Sequence, residues 1–288
     1  MSDLQPVSKV ASMDAPIYSL SESEVSLLKQ ISLPLNHCNV PSRLLASLAY
    51  QEQPIPVEID GIAILYPNLF NMLKSADTAE IRANHFRGFM TSRFHLLKGS
   101  SGAQEAADPP PRPKINYRRL LLGWLFDSDN DQGAAWRSWV ESRFGLLTCF
   151  HQELLPGPDS PQYLRFRQKC SRATYNTNEL FEQLDLLYCF CQQELRLRYP
   201  DTEHLTLYRG CTEPSEYLID GYPVKLFNNL SSFTSDPESA LRFGSKVFSV
   251  RVPLCKIACF ESLLPRSLEG EQEFMVLGGL YKVEQVKF

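Results

Sequence analysis

Three short elements in the last third of the chain carry residue types able to act together. Leu207-Tyr208-Arg209-Gly210 places an arginine near the end of a short strand. Ser231-Ser232-Phe233-Thr234-Ser235 is a hydroxyl-rich strand followed by Asp236-Pro237. Glu271-Gln272-Glu273 sets two carboxylates one residue apart, just before the apolar run Phe274-Met275-Val276-Leu277. A planar guanidinium suits anionic oxygens. A carboxylate stabilises the positive charge that develops on a sugar when a glycosidic bond breaks. A second carboxylate can take a proton from an incoming nucleophile. Each element alone also has a plain structural reading: a surface ion pair, a helix cap, a solvated turn. Ser235 or Asp236 sits where an N-cap belongs, with Pro237 at the first helical position.

Strands must hold these residues, and the texture of the chain changes to supply them. From residue 204 onward HLTLYRG, FNNLSSFTS, KVFSVRVPL, CKIACF, EFMVL and YKVEQVKF are short segments rich in β-branched and aromatic residues. One helix is predicted among them, from Pro237 to Phe243. Upstream the pattern is helical. Residues 41–51 read as one helix with Pro41 in its first turn. Residues 68–98 carry helical spacing with a break at Asp77 to Ala79. A helix starts near Ala134. Residues 176–198 put Leu180, Leu184, Leu187, Cys191 and Leu195 on one stripe, with Asn176 and Glu179 at capping-box spacing. Helices first and strands last predict an α+β fold rather than a parallel βαβ one. Residues 99–114, GSSGAQEAADPPPRPK, cannot form a helix and read as a flexible linker or loop. The expected organisation is a helical part over 1–98, that linker, and a catalytic core over 115–288 with its strand-rich motif region at 204–288.

The remaining features exclude more than they suggest. The 288 residues carry a net charge of -4, with no basic footprint for nucleic acid. No 18-residue apolar run predicts a membrane span. The first 20 residues, rich in Ser, Pro and Asp, read as mobile and lack a secretory apolar core, so a cytoplasmic protein is expected. The eight cysteines form no C-x-x-C pair and are expected to be reduced. The cluster Asp127, Asp129, Asp131 has Gln132 and Ser138 where a calcium loop needs Gly and Glu, so it reads as an acidic turn before a helix. No G-x-G-x-x-G follows a strand, no P-loop occurs, and the five histidines form no ligand-spaced pair.

In this order, the three elements resemble the Arg–Ser–Glu signature of arginine-specific ADP-ribosyltransferases, the cholera-toxin-like branch. The resemblance lengthens to one bacterial family, the NAD(+)–dinitrogen-reductase ADP-ribosyltransferases. It is carried by residues 37–51 (HCNVPSRLLASLAYQ), 123–129 (GWLFDSD), 139–147 (WVESRFGLL), 183–195 (QLDLLYCFCQQEL), 204–210 (HLTLYRG), 230–236 (LSSFTSD) and 271–279 (EQEFMVLGG). Together they span nearly the whole chain after the first 30 residues.

The resemblance implies a C-terminal core of two packed β-sheets with NAD held across the cleft between them. It implies that Glu273 stabilises the ribose at its 2′-hydroxyl and that Glu271 faces the acceptor guanidinium. Arg209 would pair with the NAD phosphates, with Gly210, Thr234 and Ser235 beside the cofactor. Ser232 would orient Glu273. Ser232 and Ser235 both fit the motif serine: separation from Ala240 favours Ser235, and the face shared with Thr234 favours Ser232, which is preferred. Glu269-Gly270-Glu271 is a second acidic pair, but the strand begins right after Glu273, so the later pair matches better. The family also implies a substrate, the nitrogenase iron protein; a regulator, a PII-type nitrogen signalling protein; a reversible stop to nitrogen fixation; and no metal required by the protein. The alternatives are an NAD glycohydrolase, an arginine transferase acting on another protein, and a family member that binds a regulator without catalysis.

Overall fold

A computed structural model describes residues 19–96, 115–126, 128–150, 153–154, 160–174, 179–212, 217–264 and 273–288. The linker expected at 99–114 lies outside them. The described helices come first: α1 (Glu22–Ile31), α2 (Ser42–Leu45), α3 (Leu48–Glu52), α4 (Ile62–Leu65), α5 (Pro67–Lys74), α6 (Ala79–Arg93), α7 (Tyr117–Phe126) and α8 (Asp131–Phe144). A small hairpin, β1 (Cys149–Phe150) with β2 (Glu153–Leu154), precedes α9 (Pro161–Thr174) and α10 (Leu180–Arg198). Strands follow: β3 (His204–Cys211), β4 (Tyr217–Ile219), β5 (Tyr222–Thr234), β6 (Lys246–Pro253), β7 (Ile257–Phe260), β8 (Glu273–Lys282) and β9 (Glu284–Gln285). Helix α11 (Pro237–Ala240) runs on as a 3-10 turn to Phe243. The mixed α and antiparallel β architecture is the one the helix-then-strand texture predicts.

Local chemistry explains several boundaries that periodicity missed. The helix expected over 41–51 is two, because the Ser47 hydroxyl accepts from Tyr50 N and starts α3 afresh; Pro41 sits at the N-cap of α2, outside its first turn. The break near Asp77 is present, and Thr78 caps α6 through Ile81 N. The helix expected near Ala134 starts at Asp131. Asn130 sets that start: its side chain accepts from Gly133 N at 2.7 Å and donates to Gly123 O at 2.8 Å. One residue thus closes the end of α7 and the start of α8, where helical groups otherwise lack partners. Asp129 pairs with Arg137 at 3.2 Å, and Asp127 lies outside the described residues. Helix α10 begins at Leu180 with Glu179 as an N-cap whose side chain makes no capping bond; Asn176 lies outside the described residues. Its expected stripe is fully in the core.

All seven strands of the main sheet are antiparallel, in the order β7-β8-β5-β3-β6-β9 with β4 on β5. Hydrogen bonding joins them in one network, but the junction is slight. A single register pair, Tyr208 with Thr234, ties β3 to β5. On one side lie β4, β5, β8 and β7; on the other lie β3, β6 and β9. The buried apolar residues form a cluster that includes Leu28, Leu45 and Phe86 from the early helices as well as Val250 and Val276 from the sheet. Polar side chains tie the layers. Gln51 donates to Arg251 O and Lys282 O and accepts from Lys282 N, so α3 is bound to both sides of the sheet. Gln192 donates to Leu254 O and Ile257 O, which holds α10 across the start of β7. Gly279, at φ +116°, lets β8 approach α2: a Cβ there would lie 2.7 Å from Ala46 backbone.

Lys256 is fully buried, donates to Leu45 O at 3.0 Å and lies 4.2 Å from the centre of the Tyr281 ring. Burial lowers its pKa from 10.5 to about 7, with Cys255 acting against the shift. Between those values the unfolded chain binds the extra proton, so the cost of burying this lysine falls as pH rises. Lys256→Met is expected to gain stability relative to the parent most at pH 7 and below. That advantage should shrink above pH 7 by up to about 1.4 kcal/mol per unit. Urea unfolding of both proteins from pH 6 to 9.5 checks it; a constant difference contradicts it.

Candidate active site

The site is built on the paired ends of β5 and β8. Thr234 lies opposite Glu273 and Ser232 opposite Met275. Side chains two apart on a strand share a face, so Ser232 is the diagonal neighbour of Glu273. Glu273 is half-buried at the first residue of β8. Helix α7 reaches over this pair. Its buried Trp124 donates Nε1–H toward Ser232 Oγ at 3.0 Å and toward Glu273 Oε1 at 2.9 Å.

Arg209 completes the group from β3. Its Nη1 donates to the main-chain oxygen of Ser232, and the guanidinium lies 5.8 Å from the centre of the Phe233 ring. Burial pulls its pKa below the ordinary value, while Cys211 and the Glu273 carboxylate push it up. An arginine remains charged through such a shift. The structure therefore brings Arg209, Ser232 and Glu273 together.

The other expected residues border that group or lie outside the described residues. Thr234 is buried, and its hydroxyl accepts from Asp236 N at 3.2 Å, so it shapes the turn that leaves β5. Ser235 is exposed in that turn. Asp236, not Ser235, is the N-cap of α11: it accepts from Glu238 N, Ser239 N and Ser239 Oγ, and these bonds hold its carboxyl below the usual range. Glu271 lies outside the described residues. Gly210 has a packing reason for being glycine: a Cβ would lie 2.0 Å from Ala240 O and 2.9 Å from Gly244 N. Gly210→Ala is thus expected to push α11 off β3 and to cost about 1–3 kcal/mol, read as a lowered melting temperature. An unchanged melting temperature contradicts that reading.

Trp124 is the site residue that sequence reasoning missed. Its segment was singled out for similarity, yet an indole on an apolar helix reads as core. The available signal was a lone N–H donor in that run, since a buried indole usually finds a partner.

Among the described residues, seven cysteines are free, and no group of three or more His, Cys, Asp or Glu is placed to hold a metal. Burial pushes the thiols of Cys170, Cys189 and Cys259 up to about 12, which leaves them protonated and unreactive at neutral pH. Among the described residues, no helix is long and apolar enough to cross a membrane.

An arginine, a serine and a glutamate converge where two groups of antiparallel strands meet; the family and the relative that the chain matches make it an NAD-dependent ADP-ribosyltransferase, a glycosyltransferase-type enzyme. The dinitrogenase reductase ADP-ribosyltransferase family matches residues 35–285, and the chain belongs to that family. It is 35% identical over 263 residues to the NAD(+)–dinitrogen-reductase ADP-D-ribosyltransferase of Rhodospirillum rubrum, covering 86% of this chain and 93% of that one. No solved structure matches the chain.

Proposed function

We propose that this enzyme transfers ADP-ribose from NAD to an arginine of dinitrogenase reductase, and so switches nitrogen fixation off reversibly. The observation that carries the reading is the convergence of Arg209, Ser232 and Glu273 at one end of β5 and β8. The slight junction between the two strand groups supports a further reading, that they act as two packed sheets with NAD across the cleft between them.

The chemistry follows from the charges. The bond from ribose C1′ to the nicotinamide nitrogen breaks, and its electron pair leaves with neutral nicotinamide. Positive charge develops on the ribose. Glu273 stabilises that charge from the 2′-hydroxyl side. A guanidine nitrogen of the acceptor then bonds to C1′ and gives up a proton, for which Glu271 is the base. Arg209 neutralises the NAD phosphates. Ser232, which touches the same donor as Glu273, is favoured over exposed Ser235 as the motif serine. None of these steps assigns work to a metal. The regulator we infer is a PII-type nitrogen signalling protein.

Mass mapping of dinitrogenase reductase after incubation with NAD and this enzyme tests the reading. ADP-ribose on an arginine peptide is the expected result. Modification confined to another residue type, or release of free ADP-ribose alone, overturns it.

A further inference from the structure

We propose that Trp124 is a positioning residue for catalysis, which fixes the Glu273 carboxylate in the ionised, correctly turned form. The proposal rests on the role given to Glu273 above. Indole carries one N–H donor and no acceptor. A donor-only partner suits a carboxylate, which only accepts, and offers nothing to the proton of a carboxylic acid. The donor lies 2.9 Å from Glu273 Oε1 and 3.0 Å from Ser232 Oγ, so a single hydrogen is shared by two motif residues from a helix 149 positions away from Glu273. Because Ser232 accepts this hydrogen, its own hydroxyl hydrogen is directed elsewhere. The shared bond thus sets the polarity of both side chains at once.

The ring is held in place by groups outside the motif. It is 3% exposed. The Arg137 guanidinium lies over it at 5.6 Å, and Arg137 is itself paired with Asp129. Asn130 ties the turn that carries Trp124 by bonding Gly123 O, one residue away. A bland reading is that a buried indole simply needs some acceptor. The acceptors of Trp124 are not main-chain oxygens, the commoner partners, but side chains of two motif residues.

The full-length Trp124→Phe enzyme, with native dinitrogenase reductase and NAD, tests the role. Loss of one charge-assisted bond is expected to lower kcat about 10–100-fold with little change in the KM for NAD. The acid limb of the kcat profile should move to higher pH, because the carboxylate loses a donor. A misfolded Phe variant is bypassed by placing benzothienylalanine at position 124, where sulfur replaces N–H in the same ring shape. It should show the same loss of rate and the same pH shift. In a Glu273→Gln background, Trp124→Phe should cause little further loss, since both act through one group. Unchanged kcat and pH profile in either position-124 variant, with Glu273→Gln inactive, overturns the role of Trp124 alone. An active Glu273→Gln overturns the reading of Glu273 beneath it.

Discussion

Glu273→Gln is expected to lower transfer of ADP-ribose by about 1,000-fold, equivalent to roughly 4 kcal/mol of transition-state stabilisation. The amide keeps the shape of the carboxylate and can still accept from Trp124 through its oxygen, so the bond at 2.9 Å in the parent need not break. What the variant lacks is charge. Positive charge on the ribose exists only as the glycosidic bond breaks, so the loss should fall on kcat, while the KM for NAD stays within about 3-fold. Melting should shift little, since a half-buried carboxylate is replaced by a neutral isostere. Steady-state rates and a melting curve check both parts together. A variant that loses rate only by unfolding contradicts the electrostatic role.

Glu271→Gln is expected to separate two activities. Transfer to arginine should fall about 100-fold, because a charged guanidinium is a very poor nucleophile until a base takes its proton. Hydrolysis of NAD by water needs only the charge of Glu273 and should persist at a measurable rate. Parallel assays of acceptor labelling and nicotinamide release give the ratio. Equal loss of both activities overturns the role of Glu271. This residue lies outside the described part of the chain, so its assignment rests on its spacing from Glu273 and on the family pattern.

The contrast between these residues and Trp124 marks what a sequence exposes. Arg209, Ser232 and Glu273 lie in short motifs with their own local signatures, so their order along the chain was enough to relate them. Strand pairing then brings Ser232 and Glu273 together where β5 meets β8, and the pairing of β3 with β5 adds Arg209. The α10 stripe was equally plain, because burial of one helix face repeats every three to four residues. Trp124 has no such signature. Its meaning depends on where α7 crosses the sheet, and that crossing is set by Asn130, Arg137 and the core rather than by the residues next to it. Gly210 carries a reason that spacing could not show: beside a motif arginine it reads as a cofactor contact, and close approach of Ala240 O also requires a glycine there. The split of 41–51 turned on one serine hydroxyl that a hydrophobic pattern cannot register. The helix α9 and the hairpin before it also went unread, since α9 is a polar helix with few apolar residues and the hairpin strands are two residues each.

Simultaneous counting of nicotinamide released and ADP-ribose bound to dinitrogenase reductase tests the role of Glu273 most directly. The enzyme and its Glu273→Gln variant are compared with NAD labelled in the adenine ring. One nicotinamide released per ADP-ribose attached to an arginine, with both falling about 1,000-fold in the variant, is the expected result. Labelling of the reductase at an undiminished rate by the folded Glu273→Gln variant would contradict it.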